Sequence, residues 1–123
     1  MNDQTLLLRQ VHPHFLPEGE LSSQAFYPFP KDHGRLSMYD GDQISAEASY
    51  RHYTADLGYS SAGVWGVKCD EVAGVGLASQ TDPIPNSPAH ALIDFGQCAD
   101  KACRKLAKKL KEFAIARGCL HQP

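Results

Sequence analysis

The sequence predicts an α+β fold: one domain over residues 1–123, with a mixed or antiparallel sheet of about five strands packed by two helices, at about 45–57 and 100–117. Three observations predict it. Two segments carry apolar residues at helical spacing. Several short runs alternate or are apolar throughout, and glycine, proline or serine bounds them. Strand-like runs cluster, three before the first helix and two before the second, instead of alternating one by one with helices.

The elements follow in chain order. Thr5–Val11, TLLLRQV, reads as a strand with Leu6, Leu8 and Gln10 on one face and Leu7, Arg9 and Val11 on the other. Pro13 ends it, since proline supplies no ladder donor. PEGE (17–20) is a turn, SSQAFYP (22–28) a short strand, KDHG (31–34) a second turn, and RLSMYD (35–40) a third strand with Leu36 and Met38 on one side. Ser45 is a natural N-cap for the first helix. Ala46, Tyr50, Tyr53 and Leu57 make its buried stripe, and Gly58 supplies the left-handed residue that closes it. SAGVWGVKC (61–69) is apolar enough for a buried central strand. DEVAGVG (70–76) suits a helical turn, and three prolines within residues 83–88 make SQTDPIPNSP a loop. AHALIDFG (89–96) is the next strand, burying Ala91, Ile93 and Phe95. Asp100 is expected to cap a final helix whose stripe is Cys103, Leu106, Leu110, Phe113 and Ala114, ended by Gly118. CLHQP (119–123) has the composition of a short tail strand.

Composition narrows the functional class. The 123 residues hold no run near the roughly 18 apolar residues of a membrane span, and the opening TLLLRQVH is too short and too polar for an export signal, so a cytoplasmic location is expected. The four cysteines form no CxxC pair, and Cys98 and Cys103 are spaced poorly for a bridge, which predicts free thiols. Charge is segregated. Residues 1–99 carry five bases against twelve acids, a net −7, and residues 100–123 carry seven bases against two acids, a net +5. Lys101, Arg104, Lys105, Lys108, Lys109 and Lys111 form the basic face of the last helix. Phosphate would dock there, but lysine outnumbers arginine, no aromatics interleave and the rest of the chain is acidic, so a solvated face is expected and nucleic acid is not the expected partner.

Candidate chemistry gathers near the segment 12–42, which holds four prolines, three histidines and three glycines. Arg9 lies in a strand among leucines, with His12 just beyond its end, Ser22 and Gln24 in the next strand and Tyr39 in the third. Meeting at one sheet edge, these five would bind an anion or a nucleotide-like group. The structural alternative is an arginine that snorkels beside loop histidines. His12 and His14 form an HxH pair, but Pro13 bends it and no spacing supplies a third ligand, so neither metal nor cofactor is expected. His90 and Asp94, four residues apart on one strand, are about 13 Å apart and form no dyad. Phe15, Phe26, Tyr27 and Phe29 are expected to pin the proline-rich segment to the core. No nucleophile elbow, P-loop, dinucleotide or HExxH motif occurs.

LLLRQVHP, SSQAFYPFPKDHGRLSMYDGD and PAHALIDF together resemble a group of small uncharacterised bacterial proteins. The resemblance implies a bacterial, cytoplasmic, self-contained domain and carries no activity or functional residue onto this sequence. From the residues, the expected role is an accessory domain without catalytic activity, an antitoxin-like partner of a larger protein. The alternatives are a small enzyme on a nucleotide-linked substrate, of the ADP-ribosyl-transfer kind, and nucleic-acid binding through the basic helix.

Overall fold

The computed structural model describes residues 1–123, the side chain of Pro30 apart. Five strands form one antiparallel sheet: β1 (Leu6–Gln10), β2 (Arg35–Asp40), β3 (Val64–Lys68), β4 (Ala78–Thr81) and β5 (His90–Asp94), in the spatial order β3-β1-β2-β5-β4. The helices are α1 (Ala46–Arg51), α2 (Cys69–Gly74) and α3 (Asp100–Arg117). The α+β class therefore holds, with an antiparallel sheet and a short third helix at the expected turn 70–76.

Strand alternation divides the core into two. Leu7, Leu36, Met38, Val67, Ala91 and Ile93 face α3, whose Cys103, Ala107, Leu110 and Ala114 close over them together with Phe26 and Val72. Leu8, Tyr39 and Val64 face the other way, toward Ala46, Tyr50 and Tyr53. Ser45 caps α1 as expected, its hydroxyl accepting from the Ala48 amide. The helix does not run on to residue 57 in α geometry. At His52–Asp56 it widens into a π-turn, with the Leu57 amide donating to the His52 carbonyl, and Gly58 at φ 77° ends it. Such widened turns re-aim the side chains that follow them.

Four expectations change. SSQAFYP is a 3-10 turn, Ser23–Phe26, packed on α3: the Ser22 hydroxyl accepts from the Gln24 amide, and that local bond competes with a sheet ladder. The fifth strand is ASQT at 78–81, which lacks an apolar pattern because it is a mostly exposed edge. VWGVK is apolar on both faces yet lies at the opposite edge. Its outer side is covered by the tail, through a bridge from Val64 to His121, and by Arg117, which donates to the Gly66 carbonyl and pairs with Glu71 at 2.9 Å. Asp100 does not cap α3; Ala99 holds the cap position, and the Asp100 carboxylate accepts from the Tyr27 hydroxyl and pairs with the exposed Arg104.

The cysteines also depart from expectation. Cys98 and Cys103 are disulfide-bonded, while Cys69 and Cys119 are free. The helix begins only at Asp100, so Cys98 turns back over the first turn and brings the two Cα atoms to 5.7 Å, within bridging range. The proline-rich segment is pinned as expected, with Phe26 fully buried and Phe15 stacked on Phe29 at 6.0 Å. Among the described residues, no helix is long and apolar enough to cross a membrane.

Leu110 is fully buried on the sheet-facing side of α3, whereas Ile115 on the same helix is 51 % exposed. Leu110→Ala is expected to lower unfolding free energy by about 2–5 kcal/mol. Ile115→Ala should stay within about 0.5 kcal/mol. Urea denaturation of both variants measures the difference.

Candidate functional site

The site begins with a break in the sheet. β1 joins β3 through five residue pairs and β2 joins β5 through five, but β1 and β2 pair only at Leu7 with Asp40 and Leu8 with Tyr39. Past Leu8 the two strands part. Arg9 fills the gap. Its Nε donates to the Ala25 carbonyl at 2.8 Å and its Nη1 to the Ser37 carbonyl at 2.8 Å, so a side chain replaces ladder bonds that the diverging backbones no longer make.

On the α1 side this gap opens into a cavity of about 350 Å³. That lies at the small end of ligand-pocket sizes. Arg9, Gln10 and Met38 line its sheet side. The π-turn and its exit supply Tyr53, Leu57 and Tyr59, and the 82–90 connection supplies Ile84, Asn86, Ser87 and His90. Tyr59 and Ile84, 59 % and 45 % exposed, stand at the rim. The Tyr53 and Tyr59 rings lie 5.1 Å apart, tilted by 37°.

The walls are held by hydrogen bonds. Tyr39 meets His52 Nδ1 at 2.7 Å, and His52 Nε2 meets the Asn86 carbonyl at 2.7 Å. A carbonyl only accepts, so in the neutral ring Nε2 carries the proton and Nδ1 accepts from the Tyr39 hydroxyl. This chain ties β2, the π-turn and the 82–89 loop together. His90 Nδ1 is held by the Asp82 carbonyl at 3.0 Å and carboxylate at 3.1 Å. Gln10 donates to Ser49 and accepts from Ser61, which fixes α1 over β1.

Electrostatics single out Arg9. Part of its side chain meets solvent, yet the head is set deep enough for burial to lower its pKa, opposed by Tyr53 and then Asp32. It stays charged at neutral pH. No carboxylate lies within salt-bridge distance of it among the described residues. Among the described residues its Nη2 has no protein partner, and no fully buried side-chain nitrogen or oxygen lacks one, so Nη2 opens on accessible space. Burial also pushes Tyr39 up to about 12, with Tyr53 and Asp56 adding to the shift, and raises Tyr53.

Of the five residues singled out in the sequence, the fold brings Arg9 and Tyr39 to one cavity. His12 Nδ1 instead accepts from the His14 amide and Ser22 caps its own turn. Gln24 lines a separate groove with Tyr27 and Arg104. On α3, Lys101, Arg104, Lys105, Lys108 and Lys109 face solvent, and Lys111 is partly buried. Sequence spacing does not mark His52, Asn86 and Ser87, whose meeting depends on the 82–89 loop folding back over the π-turn, nor the His90–Asp82 pair, which forms where the β4–β5 connection closes. Tyr53 and Leu57 did appear in the helical stripe, read as core. Asp94 accepts from the Gly96 amide, a turn-forming role.

Arg9→Met would leave two carbonyls without their charged donor and is expected to cost about 1–3 kcal/mol in urea denaturation. Tyr39 gives a pH signature. The unfolded phenol ionises near pH 10 and the folded one at about 12. The folded state thus holds the proton longer, so this contribution is complete below pH 10 and is lost as pH rises toward 12. Unfolding midpoints over that range should fall less steeply in Tyr39→Phe, with Tyr53 keeping part of the slope.

No family model, curated protein or solved structure matches this chain.

Proposed function

We propose that this protein is a small, non-catalytic binding domain whose occupant is a small organic anion held in the Arg9 cavity. The observation that carries the reading is the Arg9 guanidinium: burial lowers its pKa, it has no carboxylate partner among the described residues, it keeps one uncommitted nitrogen, and it belongs to a residue that lines an aromatic-walled cavity. Such a charge gains most from an incoming anion, because hydrogen bonds between ionised groups strengthen where water is excluded.

Binding is favoured over turnover by how the other polar groups are used. Both His52 nitrogens are engaged, His90 is held by Asp82, and Tyr39 is a weaker acid than a free phenol. Among the described residues no serine or cysteine side chain is hydrogen-bonded to a histidine ring, the arrangement that activates a nucleophile. This reading retains only the non-catalytic part of the accessory role expected from the sequence. The occupant becomes a small molecule in place of a protein because the uncompensated charge belongs to a residue that lines a cavity. A nucleotide-handling enzyme would draw on Ser22 and Gln24 for the sugar, and neither lines this space.

The test is a thermal-shift panel of organic carboxylates and phosphates on the intact chain. A ligand at a hundred times its dissociation constant adds about 2.7 kcal/mol. The expected result is a raised midpoint for a subset of anions that disappears in Arg9→Gln. A midpoint unmoved by the whole panel would overturn the reading.

A further inference from the structure

The cavity that carries the proposed function holds more information than the sign of its ligand. We infer that it selects a monoanion, a carboxylate borne on a flat ring, over a phosphate dianion. This rests on the binding reading above and specifies its ligand.

The first argument is charge. Arg9 is the one lysine or arginine among the residues lining the cavity. Of its five N–H groups, one at Nε and one at Nη1 are committed to Ala25 and Ser37, which leaves Nη2 as the uncommitted nitrogen. One guanidinium neutralises one carboxylate. A second negative charge in the same space would go unpaired, and an unpaired buried charge is strongly disfavoured.

The surroundings sharpen the preference. His90, the other group on the wall able to carry positive charge, already has the Asp82 carboxylate at 3.1 Å. Any charge His90 gains is therefore met from behind. Tyr53, Leu57 and Tyr59 come from the C-terminal end of the α1 and π-turn segment. That end of a helix carries partial negative charge, opposite to the N-termini that hold phosphates.

The second argument is shape. The guanidinium lies at the sheet, and exposed Tyr59 and Ile84 stand at the rim. A ligand seated here places its charged end against Arg9 and its body outward. The body meets the Tyr53–Tyr59 ring pair and Leu57, a wall that suits a planar apolar group.

The experiment uses three probes with one ring and different heads: benzoate, phenyl phosphate and benzamide. Each is titrated into the intact chain at pH 8 by calorimetry and by chemical-shift perturbation. Benzoate is expected to bind at least ten-fold tighter than either of the others, and Arg9→Gln should reduce it to the benzamide level. Phenyl phosphate offers an internal control, because its second ionisation lies near pH 6. It should bind more tightly at pH 5, as a monoanion, than at pH 8. Benzoate followed over the same range reports whatever His52 and His90 contribute.

Tyr59→Ala alters an exposed side chain and keeps the Arg9 bonds, so it serves if Arg9→Gln does not fold. It should weaken all three probes together. Phenyl phosphate binding as tightly as benzoate at pH 8, with both dependent on Arg9 or Tyr59, would overturn the inference and leave the binding reading standing. Probes indifferent to both substitutions would overturn both.

Discussion

A sheet that parts between its first two strands needs something to hold it, and here that is the Arg9 side chain. β1 and β2 share two residue pairs and then diverge. Beyond them Arg9 donates to Ser37 on β2 and to Ala25 on the turn that packs under α3. One guanidinium thus connects the neighbouring strand to the α3 layer. A neutral side chain of that reach would not satisfy two carbonyls and remain open to a third partner. The same divergence that creates the need for Arg9 creates the cavity, so its structural role and its proposed binding role share one origin.

The segment 12–42 is explained by this arrangement. Its 3-10 turns wrap the α3 side of the sheet, where Phe26 is buried and Phe15, Tyr27 and Phe29 pack edge to face or stacked. The wrap delivers the Ala25 carbonyl to Arg9 Nε. It is therefore scaffold for the cavity, while the cavity walls come from the π-turn and the 82–90 connection. The Tyr39–His52–Asn86 chain keeps these two walls in register.

Local patterns in the sequence were legible where one physical signal dominated. The helical stripe at Ala46, Tyr50 and Tyr53 is packed against the second core, and the Leu36–Met38 and Ala91–Ile93 alternations face the first. Signals failed where long-range packing overrode them. VWGVK reads as central because it is apolar on both faces, but its outer edge is covered by a tail more than fifty residues away. ASQT has no apolar pattern because only one side of it is paired. SSQAFYP has strand-like aromatics, yet the Ser22 cap turns it. The Cys98–Cys103 spacing suggests a bridge only once the start of α3 is known.

By itself the sequence determined the α+β class, the place of α1 and α3, and an arginine among the apolar residues of the first strand, since periodicity and capping act over a few residues. Tertiary structure alone decided the strand order, the parting of β1 from β2, and the meeting of Arg9 and Tyr39 with Tyr53, Tyr59 and His90. These depend on contacts between residues far apart in the chain, where no local spacing records which partners meet. The pocket is such a feature: its residues span positions 9 to 90, and only the fold makes them neighbours.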